Sequence, residues 1–357
     1  MPQREFYPRH FQRTRPYAKD LSDRISKLSN EKRLSVAAAT NEAFEAVTSA
    51  YVQQNITPQQ ADFLLNVTRE SQAALAYQEW QHQGAALYTF APELLKALSL
   101  SDTGSVSLND LHTPFQAVYF DFGDLELPVL HTCAPVTGAY LMYSPQQYCR
   151  LSLTAALPAG IPWTSRAAEI YDLRISREFF TLALKDAIDQ ALAEDILDIE
   201  KALQQSGTAN SLATGQAMIA AHAQNKPAYS AALSLIFNSL CYLNTYRTDC
   251  HLEWQKNTPD KLKKQTASAQ KKEAANAQSK LNGLGYRKVF YVGHDFEAAA
   301  TLDTPSGIAP HWRRGHWRNQ PYGEGSILRK LIWLRPTRVL GGAVPPDARV
   351  YEVKDAG

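Results

Sequence analysis

Ala117-Val118-Tyr119-Phe120-Asp121-Phe122 is rich in aromatic and β-branched residues, lacks a helical period and reads as a strand. Three similar runs follow it: Gly138-Ala139-Tyr140-Leu141-Met142-Tyr143, Arg150-Leu151-Ser152-Leu153 and Ile170-Tyr171-Asp172-Leu173-Arg174-Ile175. Gly, Pro or Ser punctuates the gaps. Connections this short, with no helix between, predict antiparallel pairing rather than βαβ units.

Upstream, the period is helical to about residue 100. Ala37, Ala38, Ala39, Phe44, Val47 and Val52 lie in one segment. A second opens at Thr57-Pro58, an N-cap followed by Pro at the first helical position. Its apolar residues Phe63, Leu64, Val67, Ala74 and Leu75 recur at near-helical spacing. A short helix is predicted at Pro92–Leu98. Residues 1–19 mix Arg, Pro and aromatics without a period and read as a basic extended arm. Residues 20–110 then form a helical N-terminal region, and residues 111–357 an α+β domain.

Downstream, helices return between Glu178 and about Tyr246. Leu184, Ile188, Leu192, Ile196, Ile199 and Leu203 trace one apolar face, with Asp186, Asp189, Glu194, Asp195 and Asp198 on the solvated remainder. Those acids are scattered and lack the glycine spacing of an EF-hand, which points away from a cation site. Ala231–Tyr246 is apolar nearly all round, as expected of a central buried helix. Residues 256–280 form a Lys-rich excursion, with Lys256, Lys261, Lys263, Lys264, Lys271, Lys272 and Lys280 against only Asp260 and Glu273. It reads as a solvated helix or mobile excursion, with nucleic-acid contact the alternative. Arg287–Val292 and Lys330–Leu334 return to strand patterning. The fold class is α+β: a helical N-terminal region, an antiparallel sheet flanked by helices, and a basic C-terminal β segment.

Charge divides the chain more sharply than its total of +2 suggests. Residues 1–19 sum to +4 and residues 311–357 to +5, leaving −7 for residues 20–310. An acidic body with basic ends is the pattern that a composition total erases. The four cysteines, Cys133, Cys149, Cys241 and Cys250, form no C-x-x-C pair, so a structural zinc site is not expected. No run approaches 18 apolar residues and no apolar leader opens the chain, so the expectation is a cytoplasmic protein with reduced thiols and no membrane contact. Phosphate-loop, zincin, nucleophile-elbow and dinucleotide signatures are all missing. No cofactor is expected.

One constellation stands apart. Pro310-His311-Trp312-Arg313-Arg314-Gly315-His316-Trp317-Arg318 packs two His, two Trp and three Arg within eight residues, and Arg329, Lys330, Arg335 and Arg338 extend its positive field. Arginine grips phosphate bidentately and stacks on bases, and tryptophan is a stacking platform. Arg313, Arg314, Arg318, Trp312, Trp317, Arg329, Lys330 and Arg335 are therefore candidate nucleic-acid contacts. Histidine adds acid–base chemistry near neutral pH, which makes His311, His316 and His294 candidate catalytic residues. In a strand, His311 and His316 face opposite ways, so the pair does not suit a metal. The competing reading is a β-hairpin whose tryptophans pack in the core, and the two readings can coexist.

His311-Trp312-Arg313-Arg314-Gly315-His316-Trp317, the Gly323-Glu324-Gly325 turn and the basic strand through Trp333 to Pro336 resemble the C-terminal hallmark of a type V-A anti-CRISPR family. The resemblance is strong over about residues 308–342, weaker at Tyr119-Phe120-Asp121 and the Leu233–Tyr246 helix, and absent through residues 1–110. It implies a phage or plasmid protein that recognises a nascent polypeptide, a client such as a CRISPR effector nuclease, and promotes degradation of its mRNA. The basic C-terminal segment would contact RNA or the translating ribosome, with cleavage left to host nucleases. Two alternatives stay open: a metal-independent ribonuclease using His316 or His311 with arginine clamps, and a DNA-binding accessory protein of a phage or plasmid. The adaptor is favoured because spacing reveals no acid–base pair.

Overall fold

A computed structural model of the chain describes residues 5–14, 18–36, 38–40, 42–43, 61–103, 107–130, 135–155, 170–206, 209–294, 296 and 311–339. Eight of its strands are β1 (Ala86–Phe90), β2 (Ser101–Asp102), β3 (Ala117–Asp121), β4 (Val136–Ser144), β5 (Tyr148–Ala155), β6 (Ile170–Ser176), β7 (Cys250–Trp254) and β8 (Lys288–Val292). All but β2 join one seven-stranded sheet in the order β6-β5-β4-β3-β1-β8-β7. The four runs beginning at Ala117 pair antiparallel in sequence order, as their short connections require. The sheet is mostly antiparallel and flanked by helices, an α+β fold.

The departure lies in the middle of the sheet. β1 comes from the region read as wholly helical, and it runs parallel to both β3 and β8. Residues 20–110 therefore share the sheet and core of residues 111–357. Parallel neighbours need a crossover, and the predicted short helix, Pro92–Ser99, lies in the connection from β1 to β3.

Both faces of the sheet are covered, so β3 is buried at every position and is apolar up to the buried Asp121 at its end. Along it, Val118 and Phe120 join one core, and Ala117 and Tyr119 the other. The helices are α1 (Tyr7–Thr14), α2 (Ala18–Lys32), α3 (Ala61–His82), α4 (Pro92–Ser99), α5 (Leu184–Ser206), α6 (Ala209–Thr245), α7 (Asp260–Thr266) and α8 (Lys271–Gly283). Residues of α4, α5 and α6 pack on the first face, and residues of α1, α2 and α3 on the second. The buried helix predicted at Ala231–Tyr246 is the last part of α6, where Leu233, Ile236, Phe237 and Leu240 are buried.

The basic arm is a correction. Tyr7–Thr14 within it is helical, because Tyr7 and Phe11 recur four apart and bury one face. Tyr7 meets Tyr140 edge-on at 6.2 Å, and Phe11 lies 4.9 Å from Tyr77. Most of the helix expected between Ala37 and Val52 lies outside the described residues. A buried ion cluster ties α3 to the sheet: Arg150 Nε on β5 donates to Asp172 on β6 at 2.9 and 2.7 Å, and its Nη1 to Glu79 on α3 at 3.4 Å. Burial raises the Glu79 carboxyl above its usual range, and the Arg150 charge opposes it.

The Lys-rich excursion is ordered, as the hairpin α7–α8. Its base is fastened where Gln12 Nε2 donates to the carbonyls of Asn282 and Gly283 at 3.2 and 2.8 Å, and Arg9 sits 3.9 Å over the Tyr286 ring. Among the described residues, no helix is long and apolar enough to cross a membrane.

Candidate nucleic-acid interface

The His/Trp/Arg segment forms two strands with a break at Arg314. β9 (His311–Arg313) pairs with β12 (Thr337–Val339), while β10 (Gly315–Tyr322) pairs antiparallel with β11 (Leu328–Leu334). β10 also runs parallel to β2, with Gly315 opposite Ser101 and His316 opposite Asp102. The C-terminal hairpin is thus the edge of a second sheet, rooted next to α4.

The tryptophans explain how it is held. Trp317 and Trp333 are directly paired across β10 and β11 and stack at 5.8 Å with an interplanar angle of 15°. Trp317 Nε1 donates to Asn238 Oδ1 at 2.8 Å. The Asn238 amide donates in turn to the carbonyls of Leu98 and Ser101, both at 2.9 Å. Trp333 Nε1 donates to Ser101 Oγ at 2.9 Å, and Tyr242 meets the Trp333 ring edge-on at 5.7 Å. Each indole N–H is satisfied inside the protein, as a buried donor must be. Trp317 therefore takes part in the packing of the hairpin, half-buried against the core.

The opposite face mixes cations with aliphatic residues. His316 and Arg318 alternate with Trp317 and are exposed, as is Arg314 at the break. Their cross-strand neighbours are Leu334 and Ile332. Arg335 is exposed too, its guanidinium 4.9 Å from the Phe296 ring centre and 6.0 Å from that of Trp333. Arg329 and Lys330 stand in register with Pro321 and Gln320. The side chains of His311, Trp312, Arg313, Arg329 and Lys330 lie outside the described residues.

His294 is exposed in the turn after β8, with its ring 5.4 Å from that of His251. The structure describes no contact between His294 and His316, and Asp295 lies outside the described residues. Among the described residues, no group of three or more His, Cys, Asp or Glu is disposed to hold a metal. Burial pushes the Cys149 and Cys241 thiols up to about 12, which leaves them inert as nucleophiles.

A cleft of about 560 Å³ opens where β1 ends, lined by Thr89, Phe90, Glu93, Lys96, Asp124 and Arg335 among others. Its size is that of a ligand-binding cavity, and both signs of charge stand on its rim. Thr89 Oγ1 donates to Asp121 Oδ2 at 3.1 Å, which joins the neighbouring strand ends beside it. Arg335 and Pro336, at the end of the C-terminal hairpin, form one wall. Asn238, Ser101, Tyr242 and Phe296, which seat the hairpin, carry no sequence signal, because each matters only through residues distant in the chain.

Comparison with known proteins places the chain in a group. No curated protein matches it. A solved structure titled "Crystal structure of AcrVA2" is similar over 94% of this chain and 98% of that one, with 11% identity and a TM-score of 0.43. The model of the AcrVA2-like family, anti-CRISPR type V subtype A2, matches residues 88–341. The match starts within β1, far upstream of the C-terminal hallmark and inside the stretch where no resemblance was legible. This chain belongs to the anti-CRISPR type V subtype A2 family.

Proposed function

We propose that this anti-CRISPR protein binds a nascent polypeptide client, such as a CRISPR effector nuclease, and promotes loss of the mRNA that encodes it. The outer face of the C-terminal hairpin, through Arg314, His316 and Arg318, contacts RNA or the translating ribosome. One observation carries this reading: Trp317 and Trp333 anchor the hairpin's inner face, while Arg314, His316 and Arg318 are left exposed beside Leu334 and Ile332 on the outer one. Exposed cations bind phosphate without a sequence code. The same hairpin ends at the cleft that Arg335 lines, so a polypeptide there and an RNA on the ribbon would be neighbours.

The adaptor role is favoured over a nuclease. A metal-free ribonuclease needs an acid and a base flanking one phosphate. His316 stands opposite Leu334 on β11 and Asp102 on β2, so one carboxylate is in register with the imidazole, but no pair flanking a phosphate from opposite sides is seen among the described residues. The test is sedimentation of the purified protein with ribosomes translating the effector, together with the fate of labelled effector mRNA. Co-sedimentation that depends on the nascent chain, with RNA intact in the purified mixture, is expected. RNA cleavage by the protein alone, lost in His316→Ala, would overturn the adaptor reading.

A further inference from the structure

We propose that the helical hairpin α7–α8 is a second RNA-holding surface, gripping phosphates near the start of β8, at the opposite end of that strand from the C-terminal hairpin. Its choice of RNA over DNA rests on the proposed function above. All seven lysines of residues 256–280 are exposed, and none of them forms an ion pair among the described residues. Of the segment's two acids, Glu273 is engaged by neighbouring side chains and Asp260 is exposed. Glu273 accepts hydrogen bonds from Ser268 Oγ at 2.7 Å and Gln265 Nε2 at 3.4 Å. Asp260 lies in the first turn of α7, where the helix end favours an acid.

These lysines are segregated rather than interspersed. Residues 20–310 sum to −7 although they contain this +5 segment. A merely solubilising surface mixes its signs, whereas a concentrated positive patch attracts a polyanion. The platform is rigid: Ala277 and Leu281 are buried, and Arg287 Nη1 donates to the Asn282 and Tyr286 carbonyls at 2.8 and 2.9 Å. A groove of about 420 Å³ runs between the helices, lined by Gln265, Gln270, Asn276, Lys272 and Lys280 together with Glu273, whose carboxylate is held by Ser268 and Gln265. Amides and ammonium groups suit phosphate and sugar oxygens. A protein partner would call for aromatic or aliphatic anchors, and lysine is depleted in such interfaces. A membrane would call for an apolar outer face, which α7 and α8 lack.

Topology sets the two basic surfaces apart. The hairpin α7–α8 enters β8 at its first residue, and the C-terminal cleft lies where the parallel strand β1 ends. A five-residue strand spans about 17 Å. One RNA held at both points is held more tightly than at either alone.

The experiment measures binding of labelled polyuridine RNA to the full chain across a range of salt. It compares the wild type with a variant carrying Lys261→Gln, Lys263→Gln, Lys264→Gln, Lys271→Gln and Lys272→Gln, and with its Lys→Arg counterpart. The Gln variant should lose about tenfold or more in affinity, with its salt slope reduced by about 0.7 for each phosphate released. The Arg variant should retain both, which separates charge from folding. Unchanged affinity and slope in the Gln variant would overturn the inference, and so would tighter binding of the wild type to polyglutamate or phosphatidylserine vesicles than to RNA. If Arg314→Gln/Arg318→Gln weakens binding and the lysine variant does not, the second surface fails while the proposed function stands. A wild type that binds no RNA overturns both.

Discussion

Gly315 shows why the His/Trp/Arg segment contains a glycine. A Cβ there would stand 2.6 Å from Ser101 Oγ, 2.7 Å from Pro336 Cδ and 2.9 Å from the Leu334 carbonyl. Gly315 N also donates to the Leu100 carbonyl at 3.2 Å, so the chain cannot simply retreat. Gly315→Ala should cost about 1–3 kcal/mol, read as a lower urea midpoint, because inserted atoms force the backbone apart. Arg150 is the second residue on which stability turns. Arg150→Met would leave Asp172 and Glu79 buried together without their cation, and should cost about 3–5 kcal/mol in the same measurement. The density of His, Trp and Arg was legible in the sequence, but the division of labour within it was not. Trp317 and Arg318 are adjacent letters. Only Asn238, 79 residues away, reveals that one points inward.

Elements were legible where periodicity was local. The strands from β3 to β6 follow from alternation and turns, and α4 from its Pro at the first turn. β1 was hidden because Ala86–Phe90 is five residues between helices, and its neighbours β3 and β8 are far away in the chain. The helix at 7–14 was hidden because Pro8 and Arg9 between its buried positions Tyr7 and Phe11 mask the four-residue spacing.

Helix α5 carries a prediction of its own. Asp195 is pushed up to about 7, first by burial and then by Asp172, Asp198 and Glu194, with Arg174 opposing. An unfolded Asp titrates near 3.8, so between about pH 4 and pH 7 the native state holds the additional proton. Stability therefore falls as pH rises through that window. Asp195→Asn should remove this slope, so that its melting temperature relative to the wild type is higher at pH 8 than at pH 5. An identical difference at the two values would contradict the assignment.

At the scale of the whole molecule, charge and fold divide the chain in different ways. The acidic body and basic ends were visible by counting, yet the first basic end is a packed helix whose Arg13 pairs with Glu5 at 2.9 Å. In the second basic end Arg314, His316, Arg318 and Arg335 are exposed, and its residues 311–341 lie within the family match. The proposed RNA contact needs that surface: a C-terminal hairpin locked by two tryptophans leaves Arg314, His316 and Arg318 exposed. The most direct test is the salt dependence of RNA affinity in the wild type and in Arg314→Gln/Arg318→Gln. Two lost phosphate contacts should flatten the slope of log affinity against log salt by about 1.4, with the melting temperature unchanged. An unchanged slope in a folded variant would contradict the claim.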